Sequence, residues 1–227
     1  MNGYEGRITA HTFTADVRTP APDWSVQQYS PNELGMRKAV SDFWADPSLK
    51  DHLAMVWGKI SKYYAKEPTI AGYDLLNEPW VYTAIIPGLN ASNVESFCAK
   101  VTAAIRTVER NHIMFLEPAN MNKFNISFDS KIVWAPHFYP LSFAPEHYTK
   151  NLTMLDADLA AKYQTFVLGS KVPMWIEEFG AFTKDHSTED WLGDAKRPFD
   201  KYQLGWAWWA YADPRYGNSV PDPILSP

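Results

Sequence analysis

The chain has 227 residues, 46% apolar and 21% charged, with a formal net charge of −5, which fits one globular domain and excludes nucleic acid as the main partner, since phosphate binding needs a basic face. No apolar run approaches the ~20 residues of a membrane span, and the single cysteine, Cys98, excludes an intrachain disulfide or a multi-thiolate metal site. Aromatic residues make up 15%, ten of them Trp. Their flat faces suit pyranose rings as well as a packed core, so the composition leans towards carbohydrate without deciding it.

In chain order, Arg7-Ile-Thr-Ala-His11 reads as a short strand. Leu49, Leu53, Val56, Trp57, Ile60 and Tyr64 recur at helical spacing, and Pro68 breaks the pattern before a strand over Thr69–Leu76. Ser92 with Glu95 predicts a capping box for a helix whose apolar face is Val94, Phe97, Val101, Ile105 and Val108, with Cys98 a small core residue. His112–Glu117 and Lys131–Pro136 are short buried strands, and Leu152, Leu155, Leu159, Tyr163 and Phe166 mark another helix. A strand over Val172–Ile176, a shorter helical piece around Trp191 and a strand over Leu204–Trp209 follow, before a Pro-rich tail over Pro221–Pro227.

Strands alternating with helices indicate an α/β protein with a parallel sheet, either open and doubly wound or closed as a barrel. Neither G-x-G-x-x-G nor G-x-x-x-x-G-K-[ST] occurs, so the nucleotide-binding open sheet loses its support. A serine-hydrolase elbow is absent too.

The strand ends carry the chemistry. Asn77-Glu78-Pro79-Trp80 follows the Tyr73 strand and His137-Phe138-Tyr139-Pro140 the Val133 strand. Glu177-Glu178-Phe179-Gly180 ends the Trp175 strand, and Trp208-Trp209 the last one. Ionisable groups on buried strands are costly unless they are used or paired. Two carboxylates on different strands are what glycoside cleavage requires, one donating a proton and one staying ionised, and a separation of about 5–5.5 Å leads to retention of configuration. As structural residues, Glu78 would be a helix N-terminal acid and Glu178 an ion-pair partner.

Ala71-Gly-Tyr-Asp-Leu-Leu-Asn-Glu-Pro79 resembles the fourth-strand motif of glycoside hydrolase family 5, the cellulase family, and Val172-Pro-Met-Trp-Ile-Glu-Glu-Phe-Gly180 resembles its seventh-strand motif. The resemblance runs from about residue 5 to about residue 215. It implies a TIM-type (β/α)8 barrel and a retaining hydrolase of β-linked glucan, working through a glycosyl–enzyme intermediate with no metal or organic cofactor. Glu78 would be the acid/base and Glu178 the nucleophile. Asn77 would hold the neighbouring sugar hydroxyl, with His137 and Tyr139 flanking the nucleophile and the Tyr139 hydroxyl bonded to it. Trp209 would be the sugar platform and His11 the third-strand histidine. By its position directly after Asn77-Glu78-Pro79, Trp80 is an added subsite candidate. The same motifs, with Ile132-Val-Trp-Ala-Pro-His137, are also similar to the endoglycoceramidase-like branch, which cleaves the sugar–ceramide link; an apolar groove formed by Ile85, Ile86 and Leu89 would favour it.

Two departures qualify the resemblance. The position before the nucleophile, commonly Gly in the family, is Glu177, and period-two alternation is expected to turn Glu177 and Glu178 to opposite sides; Glu177 as nucleophile is the lesser option. If the Ile8 strand is the family's third, the chain holds about six βα units and lacks the first two strands. Such an incomplete barrel is expected to self-associate, covering its open edge, or to plug the gap with its N-terminal stretch. A non-catalytic sugar-binding remnant is the reading from a different class. No signal peptide is visible in Met1–Gly6, so the chain is expected to be cytoplasmic, or secreted if an upstream segment has been removed. The histidines His11, His112, His137 and His147 lack metal-ligand spacing. Trp24, Trp44 and Trp80 are expected in loops or at helix starts, Asp74 as a structural acid, and Trp206 and Trp208 packed on outer helices.

Overall fold

The computed structural model describes residues 34–79, 86–118, 126–140, 148, 150–180 and 187–208. They fall in two compact units, Met1–Ile132 and Val133–Pro227, with the division inside a strand.

The first described elements of the first unit are α1 (Leu34–Ala45) and α2 (Pro47–Tyr64). Asp46 separates them in an extended conformation, and its side chain accepts from the Ser48 N–H at 2.8 Å. Pro47 takes the first helical position, where a missing N–H costs nothing. The Lys50 ammonium turns back to the carbonyls of Phe43, Trp44 and Asp46 at 3.3, 2.6 and 3.1 Å. It thereby satisfies acceptors that the end of α1 leaves open. Trp44 thus lies in the last turn of α1, not in a loop or at a helix start. Its ring meets Phe43 and Phe97 edge-on, at 5.2 and 5.8 Å between centroids. The spacing of Val40, Phe43 and Trp44 that makes this helix is too short to announce it.

Strand β1 (Gly72–Asp74) pairs in parallel with β2 (Ile113–Leu116), Gly72 opposite Ile113 and Asp74 opposite Phe115. A side chain at position 72 would collide with the Ile113 carbonyl and stand 2.8 Å from the Phe115 ring, so only glycine admits this approach. Between the two strands runs α3 (Ala91–Arg106), which buries Val94, Phe97, Cys98, Val101, Thr102 and Ile105 at helical spacing. Its cap differs from the expected Ser92–Glu95 box. Asn90 is the N-cap: its side chain accepts from Ser92 and Asn93, and the Asn93 side chain accepts from the Asn90 N–H. The box is therefore built two residues earlier, with Asn93 where the pattern favours Glu or Gln. The burial of Cys98 agrees with its reading as a core residue.

The end of α3 is fixed by charge. Arg106 makes a two-pronged contact with Asp129 at 2.6 and 3.1 Å, and reaches Glu109 at 2.8 Å and the His112 carbonyl at 2.9 Å. The second Glu109 oxygen accepts from the N–H groups of Asn111 and His112 and lies 2.8 Å from the His112 ring. In sheet order β2 is followed by β3 (Ile132–Trp134), the Met114 N–H donating to the Lys131 carbonyl at 2.8 Å.

In the second unit, Trp134 of β3 exchanges parallel hydrogen bonds with Pro173 and Trp175, and the Phe138 N–H donates to the Glu178 carbonyl at 2.9 Å. Strand β4 spans Ile176–Phe179, further along the chain than the expected Val172–Ile176. The two glutamates are part of the pairing segment itself. β4 pairs in parallel with β5 (Trp206–Trp208). Ile176 faces Trp206 and Phe179 faces Trp208, three steps against two, which marks a bulge.

Helix α4 (Leu152–Tyr163) passes into a π-turn over Gln164–Leu168, which still buries Phe166. Helix α5 (Ser187–Lys201) has 15 residues and is longer than the short piece expected around Trp191. Trp134, Phe138, Phe166, Phe179, Trp191 and Phe199 are fully buried and form the aromatic core of this unit. Phe179 is its hub, with Trp191 and Phe199 of α5 and Trp206 and Trp208 of β5 all within 6 Å of it, at 5.9, 5.0, 5.3 and 5.2 Å. Trp206 and Trp208 are thus packing residues: Lys196 of α5 lies over the Trp206 ring at 5.2 Å, on a helix as expected, and Trp208 packs on Phe179 of β4.

Candidate active site

In parallel sheets the reactive groups collect beyond the C-terminal strand ends. Beyond β1 the chain turns sharply: the Leu76 N–H returns to the Asp74 carboxylate at 3.3 Å, so Asp74 holds the turn, as expected of a structural acid. Asn77 is buried, and its Nδ2 has no hydrogen-bond partner among the described residues. Glu78 has φ of 48°, a left-handed conformation unusual for any residue but glycine or asparagine. Its N–H donates to Glu117 Oε1 at 2.8 Å. Glu117 follows β2 directly and is 2% exposed. In the sequence Glu117 reads only as the last residue of a short buried strand. Its signal is the repetition of pattern: Glu117-Pro118 stands after β2 as Glu78-Pro79 stands after β1.

In the second unit, the segment after β3 alternates. Phe138 turns into the core, edge-on to Phe199 at 5.1 Å. His137 and Tyr139, on the other side, stand with ring centroids 6.2 Å apart. Glu178 is 6% exposed. The Tyr139 hydroxyl donates to its Oε1, and His137 Nδ1 lies 3.8 Å from the same oxygen. Three of the residues singled out from the sequence thus meet on one carboxylate. Such an arrangement can hold a buried carboxylate in one orientation and stabilise its charge by hydrogen bonding.

Glu177 is half-buried. The bulge in β4 interrupts the strict alternation on which its separation from Glu178 was argued, because the extra residue shifts which side chains share a face. Ile86 and Leu89 do not form an open apolar groove: they are buried with Val40 in a small core cluster against Trp44. His11, Trp24, Trp80, Ile85, His147 and Trp209 lie outside the described residues.

The profile of the family described as Cellulase (glycosyl hydrolase family 5) matches residues 26–214. The chain belongs to this family. A curated relative, an endoglycoceramidase of Hydra vulgaris, is 32% identical over 87 residues, which cover 35% of this chain and 17% of the relative. Endoglycoceramidase II from Rhodococcus sp., solved as its lactosyl–enzyme intermediate, superposes with a TM-score of 0.66 at 20% identity, over 97% of this chain and 56% of that one. Cel5A of Thermotoga maritima, in a study of its complex with cellobiose, gives a TM-score of 0.62 at 17% identity, over 76% and 62%. Family and structural neighbours place this family 5 chain in the (β/α)-barrel fold, of which its parallel strands are part. The chain spans about half the length of the solved endoglycoceramidase and a smaller share of the curated relative.

Proposed function

We propose that this family 5 chain carries the catalytic machinery of a retaining β-glycoside hydrolase acting on β-linked glucan or a related β-glycoside. The observation that carries the reading is the buried Glu178 carboxylate, held by the Tyr139 hydroxyl with His137 beside it. A nucleophile must stay ionised and keep one orientation, and a hydroxyl donor provides for both. Glu178 attacks the anomeric carbon and forms the glycosyl–enzyme intermediate. Glu78 protonates the leaving oxygen, then activates the water that releases the sugar. The buried Asn77 amide, with its Nδ2 unpartnered among the described residues, is suited to bond a sugar hydroxyl. Trp209, Trp80 and His11 complete the sugar site in this reading. The chemistry asks for no metal or organic cofactor, because two carboxylates supply acid, base and nucleophile.

The lactosyl–enzyme intermediate of the Rhodococcus enzyme supports a covalent route by analogy of fold. A glycolipid substrate loses the support of the expected apolar groove with the burial of Ile86 and Leu89 but keeps that of its motifs, and its place is that of a second substrate class to be assayed. Self-association belongs to the same proposal; a monomer in sedimentation velocity at all concentrations removes that part.

The test is product analysis by proton NMR on β-glucans, mannan, aryl β-glycosides and a glycosphingolipid, with Glu178→Gln alongside. A β-anomer released first, and lost in the variant, supports retention through Glu178. An α-anomer released first overturns the mechanism, and sugar binding without turnover makes the chain a binding module.

A further inference from the structure

The Glu117 carboxylate is 2% exposed, yet it spends one oxygen on a backbone N–H across from it, that of Glu78, at 2.8 Å. That N–H belongs to a residue in the left-handed region, φ 48°, directly before Pro79. Both features disfavour the conformation. A left-handed L-residue costs roughly 1–2 kcal/mol, and a following proline pushes its predecessor towards extended backbone. Strained conformations persist where the surroundings over-determine them. Here the surroundings are identifiable: Asp74 holds the Leu76 N–H before the strained residue, and Glu117 holds the N–H of the strained residue itself. A bond from an amide to a carboxylate is among the stronger ones. The direction in which the Glu78 side chain leaves the main chain is set by its backbone conformation, so the Glu117 contact also limits the region that its carboxyl can reach.

We propose that Glu117 is a positioning residue for Glu78: it clamps the left-handed turn after β1 and so aims the Glu78 carboxyl at the leaving oxygen. The inference rests on the reading of Glu78 as the proton donor. Glu117 touches no substrate in this scheme and acts through the Glu78 backbone alone.

The test separates proton donation from folding by leaving group. An alkyl β-glycoside needs a proton on departure, whereas a 2,4-dinitrophenyl β-glycoside does not. Glu117→Ala is expected to lower kcat/KM, which reports the first chemical step, by about 100-fold on the alkyl glycoside, the scale of a misplacement near 1 Å. The dinitrophenyl glycoside should be little affected. Glu117→Gln keeps an acceptor oxygen and should recover most of the alkyl rate. Equal losses on both substrates, or no loss on either, overturn the inference. Glu78→Gln, run in parallel, must show the leaving-group dependence itself; if it does not, the parent reading of Glu78 fails instead. A readout independent of turnover uses chain labelled with nitrogen-15 glutamate. The Glu78 amide proton should shift upfield in Glu117→Ala and stay near its place in Glu117→Gln, and an unmoved resonance in Glu117→Ala overturns the clamp.

Discussion

The Tyr139 hydroxyl donates to Glu178 Oε1, joining the segment after β3 to the middle of β4 through side chains as well as through the Phe138–Glu178 backbone bond. The hydrogen bond is to a carboxylate, and such bonds contribute about 1.5–3 kcal/mol. Tyr139→Phe removes the donor and keeps the ring. It should lower kcat by about 10–100-fold with KM changed far less, the pattern of an interaction used chiefly in the transition state. Steady-state kinetics on an aryl β-glycoside checks this, and a kcat within twofold of the natural protein would remove Tyr139 from the mechanism.

Acid should loosen the first unit at the end of α3. Burial disfavours the charge of Glu109, but the N–H groups of His112 and Asn111, the His112 ring and Arg106 outweigh it and hold the carboxyl below its ordinary range. Asp129 is likewise opposed by burial and held low by Arg106 and Lys131. Both carboxylates are depressed in the folded state. Their contribution is therefore fully present above the ordinary carboxylate pKa of about 4 and is lost as pH falls through the lower folded values. Urea midpoints measured from pH 7 to pH 3 should fall, and Asp129→Asn should flatten that fall. A pH-independent midpoint in the natural protein contradicts the argument.

Removing the cation of that network is harsher than removing an anion. Arg106 stands between two carboxylates that are 2% and 9% exposed in their side chains. Arg106→Met leaves both without it, and breaking buried pairs of this kind costs about 3–5 kcal/mol. Thermal unfolding should move down by several degrees at pH 7, and the double variant with Asp129→Asn should regain part of the loss.

Asn90→Ala tests the corrected helix cap. Loss of an N-cap side chain costs about 1 kcal/mol, which lowers Tm by about 2–4 °C in a chain of this size. Ser92→Ala, the variant that the sequence pattern points to, should change Tm by less than half as much.

The Gly72 position allows no side chain. Gly72→Ala drives a methyl group into the β2 backbone. Overpacking of this kind costs roughly 1–3 kcal/mol, and the urea midpoint should drop accordingly. An unchanged midpoint would mean that β1 and β2 can part without penalty.

The order of strands and helices was legible because apolar periodicity survives in short segments: β2, α2, α3 and α4 fall at His112–Glu117, Leu49–Tyr64, Val94–Val108 and Leu152–Phe166 as predicted, though α3 stops before the exposed Val108 and α4 turns into the π-turn before Phe166. The site was legible for a different reason. Glu178 on β4 and His137 and Tyr139 just past the end of β3 are polar residues on or beside otherwise apolar strands, and a buried polar group needs a use or a partner. What escaped the reading depends on side chains distant in the chain. The Glu117 bond to Glu78 spans 39 positions, and no local pattern encodes it. The β4 bulge depends on register against β5, and α1 is a short helix whose open carbonyls are met by Lys50 of the next helix. Asn90 displaced Ser92 as cap because an asparagine pair can close the same reciprocal loop that Ser and Glu would.

Glu78 occupies a backbone conformation that a glycine would adopt with ease. Replacing it by glycine would relax the turn while leaving the main-chain donor to Glu117 in place. The relief, of order 1 kcal/mol after glycine's greater freedom in the unfolded chain is set against it, would make the Glu78→Gly protein, which lacks the proposed proton donor, the hardier of the two. A screen that rewards heat tolerance alone would then favour glycine here, and the persistence of glutamate at so uncomfortable a position would be a record of selection for turnover rather than for endurance.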